Sequence, residues 1–352
     1  MALQFDMVNT ATTKVIMPGV VDNFFKAGPA IAMAKSRFNR KWIGPTIQEN
    51  FLFRPLIGGA YAKGGAFNLI KPQTKTGMIF SPKYYQVNVT EFLEDLEVEM
   101  AGPTLAFSVI KTDMAEAALT MSAIQEIAFY RHGQNIVGDD RRLELNGLEE
   151  MLTTTAGVTW TGATFPSYGG QTRVDVAPAL NSPVGLIPAN LATIGGAIAF
   201  RPLLHSYLSC VVGGEHPQIG ITTTRAFGFI AETFSPQQQI DVIQPEINWP
   251  GFKFMNATIV ASQYCPGADG VNDPNLGNYL NATETFWWLN WGPQGDDAFI
   301  RFYIAQSSKF AYGFTGFKGA RGDNQVSGQL LFGGNITGRA PRYSRVLYGF
   351  TR

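Results

Sequence analysis

The sequence predicts an α+β protein, with many short strands and turns built around one long helix. Three observations carry that expectation. Glycine (38) and proline (20) are abundant among 352 residues and 12% are aromatic, the mixture that strands joined by tight turns require. From Glu91 to Met100 the chain alternates, broken only at Leu93 and Glu94. Glu91, Asp95, Glu97 and Glu99 share one parity and Phe92, Leu96, Val98 and Met100 the other, the period of a strand. From Met114 the period changes, and Met114, Ala117, Ala118, Met121, Ile124, Gln125 and Ala128 fall on one helical face.

Composition bounds the function. Lysine plus arginine and aspartate plus glutamate are 27 each, and only 15% of residues are charged. That excludes a highly charged disordered chain and a strongly basic nucleic-acid binder. Two cysteines, Cys210 and Cys265, make no disulfide framework, and the opening MALQFDMVNT lacks the layout of a signal peptide, so an intracellular product is expected. The apolar stretches fall far below the roughly 18 residues of a spanning helix, and no membrane partner is expected.

Taken in order, residues 1–45 read as an arm. Lys14, Lys26, Lys35, Arg37, Arg40 and Lys41 against Asp6 and Asp22 leave it at +4, and Gly28-Pro29 is expected to break a short helix over 23–38. Residues 46–90 read as a long two-stranded loop, with NFLFRPLI and MIFSPKYYQVNVT flanking a glycine-rich, lysine-bearing tip. Such a hairpin is marginal by itself and needs a surface from the rest of the chain or from a neighbour. As a strand, the acids at 91–99 make a row roughly 26 Å long. It is either a solvated face or a docking face for a basic arm.

The helix is expected over Met114–His132, about 28 Å long. Asp113 and Glu116 form its capping pair, and Arg131, His132 and Gly133 mark its end. A second helix is expected over Arg141–Leu152, weakened by Asn146-Gly147. Turns and short strands follow from Thr153, then an interrupted helix over Ile187–Ser209. Strands are expected in TTTRAFGFIAETF, GFKFMNATIVASQY, ETFWWLNW, AFIRFYIAQ, KFAYGFTGFKG and QVSGQLLFGGNITG. No internal repeat or boundary between independent domains is visible.

Little in the chain speaks for chemistry. His132, His205 and His216 have no neighbours at metal-ligand spacing, no serine sits in a nucleophile elbow, and Cys210 with His216 reads as structural. GGAYAKGG at Gly58 lacks the arrangement of a phosphate loop, and no dinucleotide fingerprint opens a helix. No catalytic, cofactor-binding or metal-ligating residue is therefore assigned, and no enzyme is expected. Phe286, Trp287, Trp288 and Trp291 read as buried core or subunit interface, with a sugar- or base-stacking platform as the other reading. Arg321-Gly322-Asp323 reads as a glycine turn. The tail carries Lys318, Arg321, Arg339, Arg342, Arg345 and Arg352 against Asp323, a balance of +5. Positive ends around an acidic strand suit self-association between identical copies.

YYQVNVTEFLEDLEVEMAGPT followed by DMAEAALTMSAIQEIAFYRHGQN resembles the centre of a tailed-bacteriophage major capsid protein of the Hong Kong 97 fold. LELNGLEEML, the YGGQTR turn, AFGFIAETFSPQQQIDV with GFKFMNATIVASQY, ETFWWLNW and QVSGQLLFGGNITGRAPRYSRVLYG are similar to successive blocks of that family, in the same order. The resemblance implies an N-terminal arm (1–45), an extended loop (46–90), a peripheral domain with a long spine helix (91–150), an axial domain (151–236), and strands returning through both domains (237–352).

It further implies a structural protein of the virion, assembled in the host bacterial cytoplasm as hexamers and pentamers of an icosahedral shell around double-stranded DNA. The partners implied are copies of itself, a portal, and a separate scaffolding or decoration protein. The expected contacts between subunits are Glu91, Asp95, Glu97 and Glu99 with Arg37, Arg40 and Lys41. Some members crosslink a loop lysine to a neighbour's asparagine; Lys63, Lys71 and Lys75 lie near the tip, but no acceptor is identified and no crosslink is expected. An encapsulin-type compartment and a β-rich carbohydrate-binding virion protein are the alternative readings.

Overall fold

The structure, a computed structural model, describes residues 28–65, 69–92, 103–136, 139–182, 185–186, 200–234, 251–267, 284–319 and 324–350. Helix α1 (Pro29–Arg37) begins where the sequence suggested a break. Proline has no N–H, but a helix start leaves that donor unpaired anyway and wants its fixed φ, so Gly28-Pro29 opens a helix instead of ending one. Ala30, Ile31, Met33 and Ala34 are buried, and β1 (Asn39–Trp42) follows. Residues 29–35, expected within an arm, are thus packed into the core, and β1 joins a sheet.

Strands β2 (Ile47–Leu52) and β3 (Lys75–Phe80) pair antiparallel from Ile47 opposite Phe80 to Leu52 opposite Lys75. They form the stem of the extended loop. The loop returns earlier than expected, because β4 (Lys83–Phe92) leaves the hairpin and enters a sheet. Helix α2 (Pro103–Tyr130) spans 28 residues, about 42 Å. It starts eleven residues before the expected point, so Asp113 and Glu116 lie inside it and cap nothing. The stretch TLAFSVI is apolar in nearly every position and hides its period. The predicted face is buried at Met114, Ala117, Ala118, Met121, Gln125 and Ala128.

After the two-residue strands β5 (Asn135–Ile136) and β6 (Asp139–Asp140), the helix expected over 141–152 shrinks to the single turn α3 (Leu148–Met151). A Cβ on Gly147 would lie 2.4 to 2.6 Å from the carbonyls of Phe129, Arg131 and Ala128, so glycine alone permits this approach to the end of α2. Strands β7 (Ser167–Tyr168) and β8 (Gln171–Thr172) flank Gly169 and Gly170, both at positive φ, the signature of a tight hairpin.

Strand β9 (Gly185–Leu186), helix α4 (Phe200–Ser209) and strand β10 (Ile219–Thr222) lead to α5 (Thr224–Phe234). A strand was expected there. Phe227 and Phe229 alternate, but Ala226 and Ile230 are the buried pair, four apart, and the Thr223 hydroxyl accepts from Ala226 N at 3.1 Å as an N-cap. Then come β11 (Gly251–Phe254), β12 (Ala257–Ala261), β13 (Glu284–Leu289), β14 (Ile300–Ala305), β15 (Ala311–Phe314), β16 (Lys318–Gly319), β17 (Gln325–Gly338) and β18 (Arg345–Phe350).

Two sheets organise these elements. In the first, the 14-residue β17 carries β4 along one edge and β14, β15 and β16 along the other. Gly334 pairs with both Lys83 and Ile304, and Leu330 with both Val87 and Phe314. Strand β1 runs parallel on the outer side of β14. The second sheet has the order β11-β12-β10-β13-β18-β9. A main core joins α1, α2 and both sheets; a smaller one lies under α4 and α5. Alternation along β13 splits the tryptophans, Trp287 against Tyr130 and Trp160, Trp288 against Tyr207 and Phe254. The cluster is core.

Candidate assembly surfaces

The stem of the extended loop is held from both strands. On β2, Ile47, Glu49 and Phe51 face inward. A charge at a buried strand position must be paired, and Glu49, 2% exposed, is surrounded by donors. Arg301 Nη1 donates to it at 2.6 Å, Tyr303 Oη at 2.7 Å and Thr337 Oγ1 at 3.0 Å. Arg339 donates to the carbonyl of Asn50 at 3.0 and 3.1 Å, and both arginines reach the carbonyl of Asp296. On β3, the 168–171 turn braces the strand. Ile79 N donates to Gly169 O at 2.9 Å and Gln171 Nε2 to Gly77 O at 2.7 Å. Buried Arg173 ties that turn to the carbonyls of Phe165, Leu180 and Glu150.

From the end of this stem outward the loop presents apolar side chains to solvent: Leu52, Leu56, Ile57, Tyr61, Leu69 and Ile70, with Leu69 at 89% exposure. Its charges are of one sign. Between Glu49 and Glu91 the sequence has no acid, while Arg54, Lys63, Lys71 and Lys75 are all exposed. An apolar, basic projection on a rigid stem is a surface for a partner, not for water.

The contact residues expected from sequence divide. Arg37 ends α1, and Arg40 and Lys41 lie on β1 at one side of the first sheet, where Arg40 pairs with Asp296 of its own chain. Glu91 lies on β4, opposite Val326, at the other side. Asp95, Glu97 and Glu99 lie outside the described residues, as do the Arg321-Gly322-Asp323 turn and residues 1–27. Within one subunit, the basic strand and Glu91 are therefore separated by the width of the sheet. The loop clamp of Glu49, Arg301, Tyr303 and Arg339 was not foreseen. Its one sequence signal was an acid at the same parity as Ile47 and Phe51.

Glu126, Glu149, Glu150 and Glu284 are buried as well, and two of them have raised pKa values. Glu126 on α2 accepts from Ala30 N at 3.3 Å and Ile31 N at 2.8 Å, which caps α1; a Cβ on Gly28 would meet it at 2.5 Å. Burial raises its pKa to about 7 against the pull of these donors. Glu150 accepts from Gly133 N at 3.2 Å and from Asn146, and burial raises it likewise to about 7. Glu126 links α1 to α2 across about 95 residues, whereas Glu150 reaches back only to Asn146 and to Gly133 just past α2. Cys210 and Cys265 are buried thiols that burial pushes up, Cys210 to about 12. Among the described residues no three His, Cys, Asp or Glu converge on a metal site, and no helix is long and apolar enough to cross a membrane. A cleft of about 590 Å³ is walled by Trp42, Ile43, Tyr84 and Phe310, and the Tyr84 phenol is the one ionisable side chain in its lining.

No family model matches the sequence, and no curated protein is similar to it. Solved structures are similar over nearly the whole chain. The cyanophage A-1(L) capsid protein aligns with a TM-score of 0.61 at 12% identity, covering 91% of each chain. The capsid protein of a native GTA particle aligns at 0.56 and 7% identity, covering 92% of this chain and 91% of that one. The SrpI encapsulin of Synechococcus elongatus PCC 7942 aligns at 0.51 and 8% identity, covering 90% and 86%.

Proposed function

We propose that this chain, which has the Hong Kong 97 capsid fold, is a major capsid protein that binds copies of itself into a closed shell around double-stranded DNA. The observation that carries the reading is the clamped extended loop with its uncovered apolar side chains. A stem held by a buried ion pair keeps the loop in one orientation, and the apolar residues beyond it gain only when a neighbour covers them. The second observation is charge at opposite sides of one sheet. Basic β1 and the strand that carries Glu91 are different patches, so a contact between them in two copies is head-to-tail. Contacts of that kind close into rings when the rotation between copies closes.

In this reading the first sheet with α2 is the peripheral domain and the second sheet with α4 and α5 the axial one. Residues 1–27 complete the arm, and a portal and a scaffolding or decoration protein are the further partners. Electron microscopy of the expressed chain tests it. Closed shells tens of nanometres wide are expected; a monomer or small oligomer at high concentration overturns it. The likeness to an encapsulin supports a second reading, a protein compartment, which shares the shell and differs in its contents.

A further inference from the structure

We propose that the cleft at the end of β1, with the outer face of β4 that continues it, is a binding site for a neutral oligosaccharide. The inference goes beyond the shell-forming reading and does not depend on what the chain assembles into. Strand β1 ends at Trp42 opposite Ala305, and the turn after β14 brings Phe310 against Tyr84 of β4. Between them lies the cleft of about 590 Å³, a size that suits a small ligand. Its wall is aromatic and uncharged, built from Trp42, Tyr84 and Phe310 with Ile43, Gln306 and Ser307. Lys41 and Lys309, next to it in sequence, are not part of the wall.

The rings are held in place before any ligand arrives. Trp42 Nε1 donates to the carbonyl of Thr46 at 2.9 Å, and the backbone N–H of Gln306 donates to the carbonyl of Trp42 at 2.8 Å. Tyr84 lies against Gly333, where a Cβ would come within 3.2 Å of two ring carbons, and meets Phe310 edge-on at 5.6 Å, yet it is 57% exposed. Fixed rings with an open side suit the C–H face of a sugar, and an orientation set in advance lowers the cost of binding. From Tyr84 the same strand face continues through Gln86, Asn88 and Thr90, all exposed, over about 20 Å. Their partners across the sheet are Leu331, Gln329 and Ser327. None of these residues carries a charge. Amides and hydroxyls both donate and accept, as sugar hydroxyls do, so a row of them beside aromatic platforms matches a neutral, polyhydroxylated chain. A charged partner would find no counter-charge on this face.

The test uses the purified full chain on an array of neutral, sialylated and sulfated glycans, with cellohexaose, maltohexaose and mannohexaose titrated in solution. Of the described tryptophans Trp42 alone is partly exposed, while Trp160, Trp287, Trp288 and Trp291 are buried, so its fluorescence reports on the cleft. Binding to at least one neutral glycan is expected, with a shift in tryptophan emission that Trp42→Phe removes. Tyr84→Ala, and Gln86→Ala combined with Asn88→Ala, all at exposed positions, are each expected to weaken binding about tenfold with the circular dichroism spectrum unchanged. Tyr84→Phe, which keeps the ring, is expected to bind like wild type.

If no neutral glycan binds at millimolar concentration, the proposal is overturned. If one binds and Tyr84→Ala binds it equally well, the saccharide sits elsewhere and this site is refuted. Preference for the sialylated or sulfated glycans would likewise overturn it, since the wall of the cleft holds no cation. A protein partner that covers Trp42 and Tyr84, with no saccharide bound, would make the face a protein interface and overturn the proposal too. Each of these outcomes leaves the shell-forming reading where it stands.

Discussion

Glu49 is the residue on which the extended loop turns. Its carboxylate is buried with Arg301, Tyr303 and Thr337 as partners, and truncating one side of such a pair strands a buried charge. Glu49→Ala is expected to destabilise the subunit by about 3–5 kcal/mol, read as a lower denaturation midpoint in urea. Glu150 makes a second prediction through pH. Its pKa is raised above that of an unfolded carboxyl, 4.5, to about 7. The folded state then holds a proton that the unfolded state releases. The stability this contributes is complete below pH 4.5 and is lost as the pH rises to about 7. Glu126 acts in the same direction. The unassembled subunit should lose stability between pH 5 and 7, and Glu150→Gln should remove about half of that slope, whatever its effect at a single pH. An unchanged slope would show that Glu150 is ionised throughout. At this scale the sequence was informative where local chemistry was at stake, as with the tryptophans. It was silent on Glu49, whose partners stand some 250 to 290 positions away.

The elements show why local patterns succeed or fail. The buried face of α2 was legible from Met114 onward because its apolar positions recur every three or four residues. The start of the helix was not, because a mostly apolar first segment has no clear period to read. In α5, two alternating phenylalanines imitated a strand, while the cap at Thr223 and the spacing of Ala226 and Ile230 made a helix. The extended loop was recognised as a hairpin, yet β4 was counted with it. Its pairing with β17, ten residues long, joins positions more than two hundred apart. The acidic row that follows β4 makes a prediction at this scale. Asp95→Lys combined with Glu97→Lys should impair assembly and leave the isolated subunit folded, as judged by circular dichroism and electron microscopy. Normal shells from that variant would remove the acidic row from the assembly mechanism.

On the scale of the whole molecule, the first sheet carries a basic strand on one side and Glu91 on the other, and the loop projects from a stem clamped to it. On the proposed function a subunit built this way is incomplete alone, and what the proposed shell encloses separates the two readings of it. Particles isolated from producing cells should protect double-stranded DNA from nuclease. Particles that hold only cargo protein would favour the compartment. Composition and periodicity were enough to establish a strand-rich chain with one long helix and an exposed basic loop, because those properties depend on neighbours within a few residues. The order of the segments carried the resemblance to a capsid fold. Folding in three dimensions alone could pack residues 29–35 into the core, separate Arg40 from Glu91, and bring Glu49 to Arg301. Each of those outcomes depends on contacts between segments far apart in the chain, and such contacts leave no period for a local reading to find.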